Sequence, residues 1–500
     1  MNKRFLFFVF FVVLVVGFSV RWYDLGKESL WNDEAFSVHH ASVSAVSGII
    51  TQVSITEGAP PGYYILLHYW ITLFGTSEVA LRSLSVLFGV FSIIILFLLV
   101  RLFFSEQVAL LSSFFLATSM LQVLFSQEAR LYSLFTFLVL LASYVIALIF
   151  RCAQRDEKAV FLWLVYLLVM LLTFYVNYLT FFVALSYFLV LFFRWNTFSV
   201  LFRRTFIFVH GVLAVLVISL YYLSGNVLIH QFLSLNKGLT NSLIMKHLPS
   251  FLAQLGLFFY ALPLLLFFGI IFLLLLLWKR RMAITLFTLP DTYFFSMMSL
   301  WAVFYVYLCF NTITLFGIHL TQNPITQSYF LIRHSFFLAP LLYVYVAYKI
   351  CMMRQKVFAG GVIVVILLVN IVALSSYYSQ TTKAPWGEAM GYIQENSINS
   401  PLLLLDKGGF SNEFLLRRYY PTSDFELIKL TSSEEMRVLD RMGDEKVWQA
   451  IGDYEEFWLI LYKNTSTKDY YKQLLDMRYI AEEPIYFQGI KIYHYHARNI

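Results

Sequence analysis

The sequence FLFFVFFVVLVVGFSV occupies residues 5–20 and contains no charged residue. An apolar run that approaches the roughly 20 residues needed to cross the hydrocarbon core of a bilayer predicts a membrane-spanning helix. The residues that follow, Arg21, Trp22 and Tyr23, do not provide the small-residue cleavage site of a signal peptide. We therefore interpret this run as an uncleaved membrane anchor.

Similar apolar runs recur along the chain as far as residue 375. Eleven are predicted to span the membrane, at residues 5–20, 79–103, 108–125, 131–150, 160–176, 179–193, 206–223, 251–277, 294–317, 336–350 and 358–374. The chain is therefore expected to be a polytopic α-helical membrane protein with about 11 transmembrane helices.

The composition of the 500 residues agrees with this architecture. Hydrophobic residues make up 60% and charged residues 13%, and the mean hydropathy is +0.72, which excludes an ordinary soluble protein. The net charge of +7 comes from loops between spans, so it does not indicate the basic surface of a nucleic-acid-binding domain. Cys152, Cys309 and Cys351 lie far apart in sequence, which predicts neither a disulfide framework nor a zinc site.

Basic residues near the ends of the spans predict the orientation of the chain, because Lys and Arg accumulate in cytoplasmic loops. They are concentrated before the first run and in alternate loops after it, for example at Lys279, Arg280 and Arg281. The N-terminus is therefore expected to be cytoplasmic. The loop after the first span and everything after residue 374 are expected outside.

The first outer loop contains the sequence LWNDEA at residues 30–35, which places the carboxylates of Asp33 and Glu34 side by side. Three further acids lie in the same loop: Asp24, Glu28 and Glu57. Acidic residues close to a membrane are costly and are retained where binding or chemistry needs them. The Asp33–Glu34 pair is therefore the first candidate for an active site.

Two short helices are expected in the same loop. Val46, Ile49, Ile50 and Val53 recur at helical spacing among polar residues, which predicts an amphipathic helix on the membrane surface, roofing a cavity. Residues 62–74 are apolar but too few to span a bilayer, so they predict a second helix that is interfacial or re-entrant.

Several short motifs follow one another in the first third of the chain. They are Trp31-x-Asp33-Glu34-Ala35, Pro60-Pro61-Gly62-Tyr63-Tyr64 with Leu67-His68-x-Trp70, Phe74-Gly75, Leu81-Arg82-Ser83-Leu84-Ser85, and Ser126-Gln127-Glu128-Ala129-Arg130-x-Tyr132-Ser133. In this order they resemble the bacterial GT-C glycosyltransferases of the dolichyl-phosphate-mannose protein mannosyltransferase superfamily. That superfamily includes glycosyltransferase family 39, the aminoarabinose transferases and the Rgt-type transferases. The resemblance covers roughly residues 21–132 and weakens to topology beyond them.

The resemblance implies a multi-pass enzyme of the plasma (inner) membrane that acts in cell-envelope glycosylation. Such an enzyme takes a sugar, a hexose or pentose, from a polyprenyl-phosphate carrier. It transfers the sugar, with inversion, to a lipid, polysaccharide or protein acceptor at the outer face.

By analogy with the family, Asp33 is the catalytic carboxylate. Residue chemistry agrees, because a carboxylate within hydrogen-bond reach can remove the proton of a weakly nucleophilic hydroxyl as the bond from sugar to phosphate breaks. Glu34 is expected to orient the acceptor or, with Asp33, to bind a divalent cation such as Mg²⁺ or Mn²⁺. Two adjacent carboxylates alone do not decide whether a metal is required.

The departing lipid phosphate calls for cations on the outer side, where the positive-inside rule places few. Arg82 and Arg130 lie at outward ends of spans, and a guanidinium can hold a phosphate through two parallel hydrogen bonds. Further candidates for the phosphate site are Tyr132, Arg333 and His334. Candidates for contacts to the cavity or the acceptor are Tyr63, Tyr64, His68 and Glu128.

Other roles for these residues remain open at this stage. Arg82 and Arg130 are equally compatible with anchors whose charged ends reach the membrane interface, or with ion pairs to Glu78 and Glu128. His68 follows an apolar run and fits a packed or interfacial histidine. At the level of function, a lipid-linked glycan polymerase or ligase shares the topology and the phosphate chemistry. A transporter is a more distant alternative, because it would place ionisable residues midway along its spans.

From residue 376 onward the composition becomes mixed and polar. Helices are predicted at 386–395, 413–419, 434–454 and 468–477, and strands at 402–405, 425–430, 457–462, 485–487 and 490–495. The pattern predicts two domains, a transmembrane glycosyltransferase domain at 1–375 whose first outer loop (21–78) is catalytic, and an extracytoplasmic α/β domain at 376–500. The second domain is expected to recognise the acceptor or to cap the membrane cavity.

Overall fold

The computed structural model of the chain describes residues 2–56, 60–155, 157, 159–193, 198–223, 336–397, 401–405, 410–420, 425–432, 440–441, 444–452, 454–462 and 468–498. The helices described before residue 224 are α1 (Lys3–Trp22), α2 (Asn32–Ala41), α3 (Val46–Thr56), α4 (Gly62–Phe74), α5 (Glu78–Arg101), α6 (Glu106–Thr118), α7 (Met120–Ser126), α8 (Tyr132–Gln154), α9 (Val160–Val176), α10 (Thr180–Phe193) and α11 (Val200–Leu223). A short 3₁₀ helix, Phe336–Leu338, leads into α12 (Ala339–Met352) and α13 (Lys356–Ser379).

The membrane-spanning character predicted from the sequence is confirmed in the described residues. Helices α1, α5, α8, α13 and most of α11 are long and apolar enough to cross a bilayer, and the bent pair of α6 and α7 has the length and composition of either a broken span or a re-entrant segment. Shorter apolar helices are α9 and the segment Phe336–Met352. Two of the eleven predicted runs, 251–277 and 294–317, lie outside the described residues. The other nine each coincide with a helix or a helix pair.

The run at 108–125 is not one straight helix, because the chain bends by 57° between α6 and α7. Ser119 ends α6 in an extended conformation, and its side chain accepts a hydrogen bond from the backbone N–H of Gln122, which caps the start of α7. The guanidinium of Arg21 donates to the carbonyls of Leu116 (3.0 Å) and Ala117 (2.7 Å) at the end of α6. The unpaired carbonyls of a broken helix thus obtain donors inside the protein.

The first outer loop is largely helical, with α2, α3 and α4 packed against one another. Helices α3 and α4 occur where the sequence predicts them, whereas α2 was not predicted. Ile49 and Val53 of α3 are fully buried, so the apolar face of this helix packs inside the protein. The loop is therefore a small folded layer and not an extended connection.

The C-terminal region has the α/β architecture predicted for it. Its helices are α14 (Trp386–Asn396), α15 (Phe410–Tyr419), α16 (Asp444–Ile451) and α17 (Lys468–Asp476). Its strands are β1 (Leu402–Leu405), β2 (Glu426–Lys429), β3 (Thr431–Ser432), β4 (Asp440–Arg441), β5 (Glu456–Tyr462), β6 (Tyr479–Ala481), β7 (Ile485–Phe487) and β8 (Ile490–Ala497). The main sheet has the order β2-β1-β5-β8-β6, with β7 also paired to β8. Strands β2, β1 and β5 are parallel, and β8 is antiparallel to β5.

One prediction for this region needs correction, and one strand was not foreseen. The helix predicted at 434–454 is described as the shorter α16, and Asp440 and Arg441 of the predicted helix instead pair as strand β4 with β3. The strand β6 was not predicted, because its three residues are too few to show an alternating pattern.

The two faces of the main sheet contact different parts of the protein, as the alternation of side chains along a strand requires. On β5, Phe457 and Leu459 pack into a local core with α16 and α17 residues. Trp458, Ile460 and Tyr462 belong to an apolar cluster that continues into the membrane helices. The sheet is thus packed directly onto the rest of the protein.

Candidate active site

Asp33 and Glu34 lie in the first turn of α2. An acid in this position is favourable because the backbone N–H groups at a helix N-terminus carry partial positive charge. Successive residues of a helix point in different directions, and here the two side chains separate clearly. Glu34 is fully buried, whereas Asp33 is half-buried.

The carboxylate of Glu34 accepts hydrogen bonds from every side. Arg82 donates to both oxygens, from Nε at 2.8 Å and from Nη2 at 2.9 Å, and Lys383 Nζ lies 3.2 Å from Oε2. The backbone N–H groups of Ala129 (2.9 Å) and Trp31 (3.3 Å) complete the set. One buried carboxylate therefore joins α2, α5, the loop before α8 and the segment after α13.

The charge of Glu34 is fixed by these partners. Burial opposes ionisation, but Arg82 and Lys383 outweigh it and lower the pKa of Glu34 to about 2. Burial lowers the pKa of the Lys383 ammonium below its ordinary value, against the opposing attraction of Glu34. A divalent cation does not fit at Glu34, because its oxygens already accept five N–H bonds and two cationic side chains adjoin it. We therefore derive no step that uses a metal at this carboxylate.

Arg82, predicted as a phosphate contact, directs its N–H groups to partners within the protein. Besides its two bonds to Glu34, it donates to the backbone carbonyls of Leu25 (2.9 Å), Glu28 (2.9 Å) and Ser29 (3.1 Å). These five bonds use all five N–H groups of a guanidinium, and the side chain is 2% exposed. We therefore reassign Arg82 from phosphate binding to holding the outer loop. The predicted alternative, a pair with Glu78, is not what the structure shows, since Glu78 binds Arg418.

Arg130 lies beside Asp33 and is half-buried. Its Nη1 is 3.1 Å from the backbone carbonyl oxygen of Asp33, 3.2 Å from Ser37 Oγ and 3.5 Å from the hydroxyl of Tyr64. Arg130 is thus anchored to α2 and α4 next to the candidate catalytic carboxylate. Of the two arginines predicted for the phosphate, it is the one adjacent to Asp33.

The C-terminal region reaches the same place through Tyr462, the last residue of β5. Burial, together with the nearby negative charge of Asp33, raises the pKa of the Tyr462 hydroxyl to about 12. The Tyr462 ring also packs against Trp386 of α14, with 5.3 Å between ring centroids. Tyr462 of the C-terminal region therefore lies near α2, as Lys383 does.

The remaining candidates have mainly packing contacts. Tyr63 and Tyr64 are buried with their rings edge to face, and burial raises the pKa of Tyr63 above its ordinary value. His68 Nδ1 is 2.8 Å from the carbonyl of Ala41 at the end of α2, which supports the packed alternative. Tyr132 packs against Phe125, with 4.7 Å between ring centroids.

Glu128 is buried at 4% exposure, and its charge influences the titration of both Tyr63 and Lys383. It therefore belongs to the same buried polar region as Glu34. Arg333 and His334 lie outside the described residues.

Sequence reasoning missed two residues at the site. Lys383 is a basic residue just beyond the last span on the predicted outer side, the same signal that singled out Arg82 and Arg130. Tyr462 carries no such signal, because a tyrosine ending an apolar strand is ordinary. Its position depends on how the sheet packs onto the outer loop.

Comparison with known proteins gives the following similarities. Residues 58–222 match the family described as Dolichyl-phosphate-mannose-protein mannosyltransferase. No curated protein sequence matches the chain. The structure is similar to ArnT from Cupriavidus metallidurans in the apo state, with 12% identity, 97% of each chain covered and a TM-score of 0.54.

Two further solved structures give weaker matches. ArnT from the same organism bound to undecaprenyl phosphate matches with 13% identity, 99% and 98% coverage and a TM-score of 0.49. The archaeal oligosaccharyltransferase AglB from Archaeoglobus fulgidus matches with 11% identity, coverage of 100% of this chain and 75% of its own, and a TM-score of 0.47.

The matched segment contains Arg82, Arg130 and the tyrosines of α4, and the ArnT fold extends over nearly the whole chain. The resemblance predicted from the sequence is confirmed to this extent: residues 58–222 match the dolichyl-phosphate-mannose-protein mannosyltransferase family, and the overall fold is similar to that of ArnT.

Proposed function

We propose that this protein is a membrane glycosyltransferase that takes a sugar from a polyprenyl-phosphate carrier and transfers it to an acceptor at the outer face of the membrane. The observation that carries the proposal is the half-buried Asp33 beside Arg130, in a chain whose residues 58–222 match a family named for a dolichyl-phosphate-linked sugar donor. Arg130 bonds to the backbone carbonyl of Asp33, so a carboxylate that can act as the base and a guanidinium that can bind the phosphate belong to residues in direct contact.

The reaction proceeds by inversion. The acceptor hydroxyl gives its proton to the carboxylate of Asp33 while its oxygen forms a bond to the anomeric carbon. The bond from that carbon to the phosphate oxygen breaks on the opposite face, and its electron pair stays with the phosphate. Arg130 offsets the charge that develops on the departing oxygen through charge-assisted hydrogen bonds.

Glu34, Arg82 and Lys383 support this step without taking part in it. Their buried network fixes the first turn of α2, from which Asp33 projects, against α5 and the segment after α13. Small displacements of a catalytic group reduce rates steeply, so a rigid support for Asp33 contributes to catalysis through positioning.

The proposal also covers the sugar, the acceptor, the membrane and the orientation of the chain. The donor sugar is a hexose or pentose, and the acceptor is a lipid, polysaccharide or protein group. The protein lies in the plasma membrane with its N-terminus in the cytoplasm, so that the domain at 376–500 caps the outer cavity above the domain at 1–375. The hydrogen bond from Lys383 to Glu34, and the position of Tyr462 near enough to Asp33 for the charge of Asp33 to affect its hydroxyl, support this capping role.

The test compares Asp33→Asn with a matched control, Asp24→Asn. Asp24 lies in the same loop and pairs with exposed Lys27, and its backbone φ of 55° is one that asparagine tolerates well. Purified proteins are incubated with labelled polyprenyl-phosphate sugars and membrane extracts. Loss of the base is expected to slow transfer by about 10²–10⁴-fold in Asp33→Asn, whereas Asp24→Asn should transfer at the wild-type rate. Equal labelling by both variants would refute Asp33 as the base.

The same assay separates this proposal from a lipid-linked glycan polymerase or ligase. The mass added to the labelled acceptor is expected to equal one sugar residue. Transfer of an intact oligosaccharide would instead support the ligase.

A further inference from the structure

A second cluster of polar side chains lies at the far end of the C-terminal sheet. Glu456 begins β5, and His494 and His496 lie on the neighbouring strand β8, where Glu456 pairs directly with His496. The side chains of 494 and 496 point to one face of the sheet, and the potential ligand atoms of all three residues lie within 4.8 Å of one another. Two imidazoles and a carboxylate therefore converge on one point.

His494 is held in position for binding. Its ring stacks on Trp458 with 3.9 Å between centroids and an interplanar angle of 1°. It is 10% exposed, and among the described residues its buried Nε2 has no hydrogen-bond partner. The closest carboxylate oxygen, Oε2 of Glu456, is 3.8 Å away. That distance is too long for a hydrogen bond but close to the roughly 3.3 Å that separates two ligands around a tetrahedral zinc ion.

Glu482 provides the supporting interactions that a metal site needs. Its carboxylate lies 2.8 Å from Nε2 of His496 and 3.4 Å from Nδ1 of His494. A carboxylate on the second ring nitrogen of a histidine fixes its tautomer and orientation and increases its basicity as a ligand. Nδ1 of His494 thus faces Glu482 while Nε2 remains directed toward Glu456.

We propose that Glu456, His494 and His496 bind one zinc ion, with Glu482 orienting the imidazoles. Two nitrogens and one carboxylate oxygen form a set typical of zinc, whereas magnesium and calcium prefer oxygen ligands alone. The ion cross-links β5 to β8. It is separate from the proposed transfer chemistry, because Glu456 and Tyr462 lie at opposite ends of β5, roughly 20 Å apart at 3.3 Å per residue.

The test uses the full-length protein purified in detergent, stripped with EDTA and then dialysed against zinc chloride or magnesium chloride. Bound metal is measured by mass spectrometry and unfolding by differential scanning fluorimetry. One zinc per chain is expected, with a melting temperature that falls on stripping and returns with zinc but not with magnesium. Glu456→Gln and His494→Asn are expected to lose the zinc. Glu482→Gln is expected to weaken zinc binding by about 10–100-fold.

The matched control is Glu455→Gln, because Glu455 is an exposed neighbour of Glu456 with the same chemistry. It should retain zinc as the wild type does. Equal zinc content in Glu455→Gln and Glu456→Gln overturns the site, as does the absence of zinc from the wild type. Asp33→Asn tests whether the zinc instead binds in the first outer loop. If zinc is lost in Asp33→Asn but kept in Glu456→Gln, the proposal is also overturned.

Discussion

Asp33 and Glu34 are adjacent in sequence and chemically alike, yet their surroundings give them different roles. Glu34 is enclosed by Arg82, Lys383 and two backbone N–H groups. Asp33 is half-buried and lies near Arg130 and Tyr462. Glu34 is held on all sides by these partners, and the proposal assigns the role of base to Asp33.

Glu34→Gln tests this support. The substitution keeps the shape of the side chain but leaves Arg82 and Lys383 as buried cations without their shared carboxylate, which is expected to cost about 3–5 kcal/mol of stability. Thermal unfolding in detergent measures the loss. The control is Glu413→Gln, whose partners Arg417 and Lys429 are 56% and 39% exposed, so that the cost should stay within about 1 kcal/mol. Equal melting temperatures for the two variants would contradict the assignment.

The pKa of Glu34 also predicts an acid dependence. Its folded-state pKa of about 2 lies below the ordinary 4.5, so its contribution to stability is complete above pH 4.5 and is lost as the pH falls toward 2. The difference in melting temperature between wild type and Glu34→Gln should therefore shrink over this range. A difference that stays constant down to pH 2 would show that Glu34 is not held ionised by the fold.

At the level of elements, the bend between α6 and α7 depends on the close approach of α1, α5 and α7. Arg21 of α1 reaches Ser126 of α7 with its Nε at 3.2 Å. A Cβ at Gly89 of α5 would overlap Ser126 Oγ and lie 3.0 Å from Nε of Arg21. Glycine at position 89 leaves room for Arg21, which donates hydrogen bonds to the unpaired carbonyls at the end of α6.

Gly89→Ala is therefore expected to destabilise the protein by about 1–3 kcal/mol, through overpacking against Arg21 and Ser126. Adding Ser126→Ala removes the overlapping atom and should recover part of the loss. Gly360→Ala in α13 is the control, because a Cβ there meets nothing within 4 Å. Thermal unfolding of the three variants provides the measurement, and a Gly89→Ala protein as stable as Gly360→Ala would refute the argument.

These helices also show which features of the fold can be predicted from the sequence and which cannot. Apolar runs predicted the described spans, because length and hydropathy are local properties. The bend at Ser119 was not predicted, since the carbonyls it exposes are satisfied by an arginine about 95 residues away in sequence. Helix α2 was also missed: its ten residues mix apolar and polar side chains, and its burial depends on α15 and α4, which pack against it.

For the whole molecule, the C-terminal region is joined to the outer loop by polar contacts as well as by the apolar cluster. Arg418 Nη2 lies 3.1 Å from the carboxylate of Glu78 at the start of α5. The hydroxyl of Tyr419 donates to Glu78 at 2.8 Å and accepts from the N–H of Leu30 at 2.7 Å. Glu28 accepts a bond from the hydroxyl of Thr382 at 2.8 Å. These contacts join the C-terminal region to the loop that carries Asp33 and to the start of α5.

Arg418→Gln is expected to loosen this attachment, because Glu78 and the carbonyl of Thr76 both lose a donor at a partly buried contact. Limited proteolysis between residues 380 and 385 should become faster, and sugar transfer should slow. Arg417→Gln is the control, since Arg417 is 56% exposed and pairs with Glu413 within α15 itself. Identical cleavage rates for the two variants would show that Arg418 does not fasten the domain.

The sequence by itself determined the membrane-spanning helices, the α/β character of the C-terminal region, the superfamily resemblance and the outer-loop acids, because each depends on local composition or short motifs. The tertiary structure alone decided which acid is enclosed, that Arg82 serves Glu34, and that Lys383 and Tyr462 reach the same site. The physical reason is that hydropathy acts along the chain, whereas the partner of a buried charge is chosen by packing between segments that are far apart in sequence, 48 residues for Arg82 and 349 for Lys383.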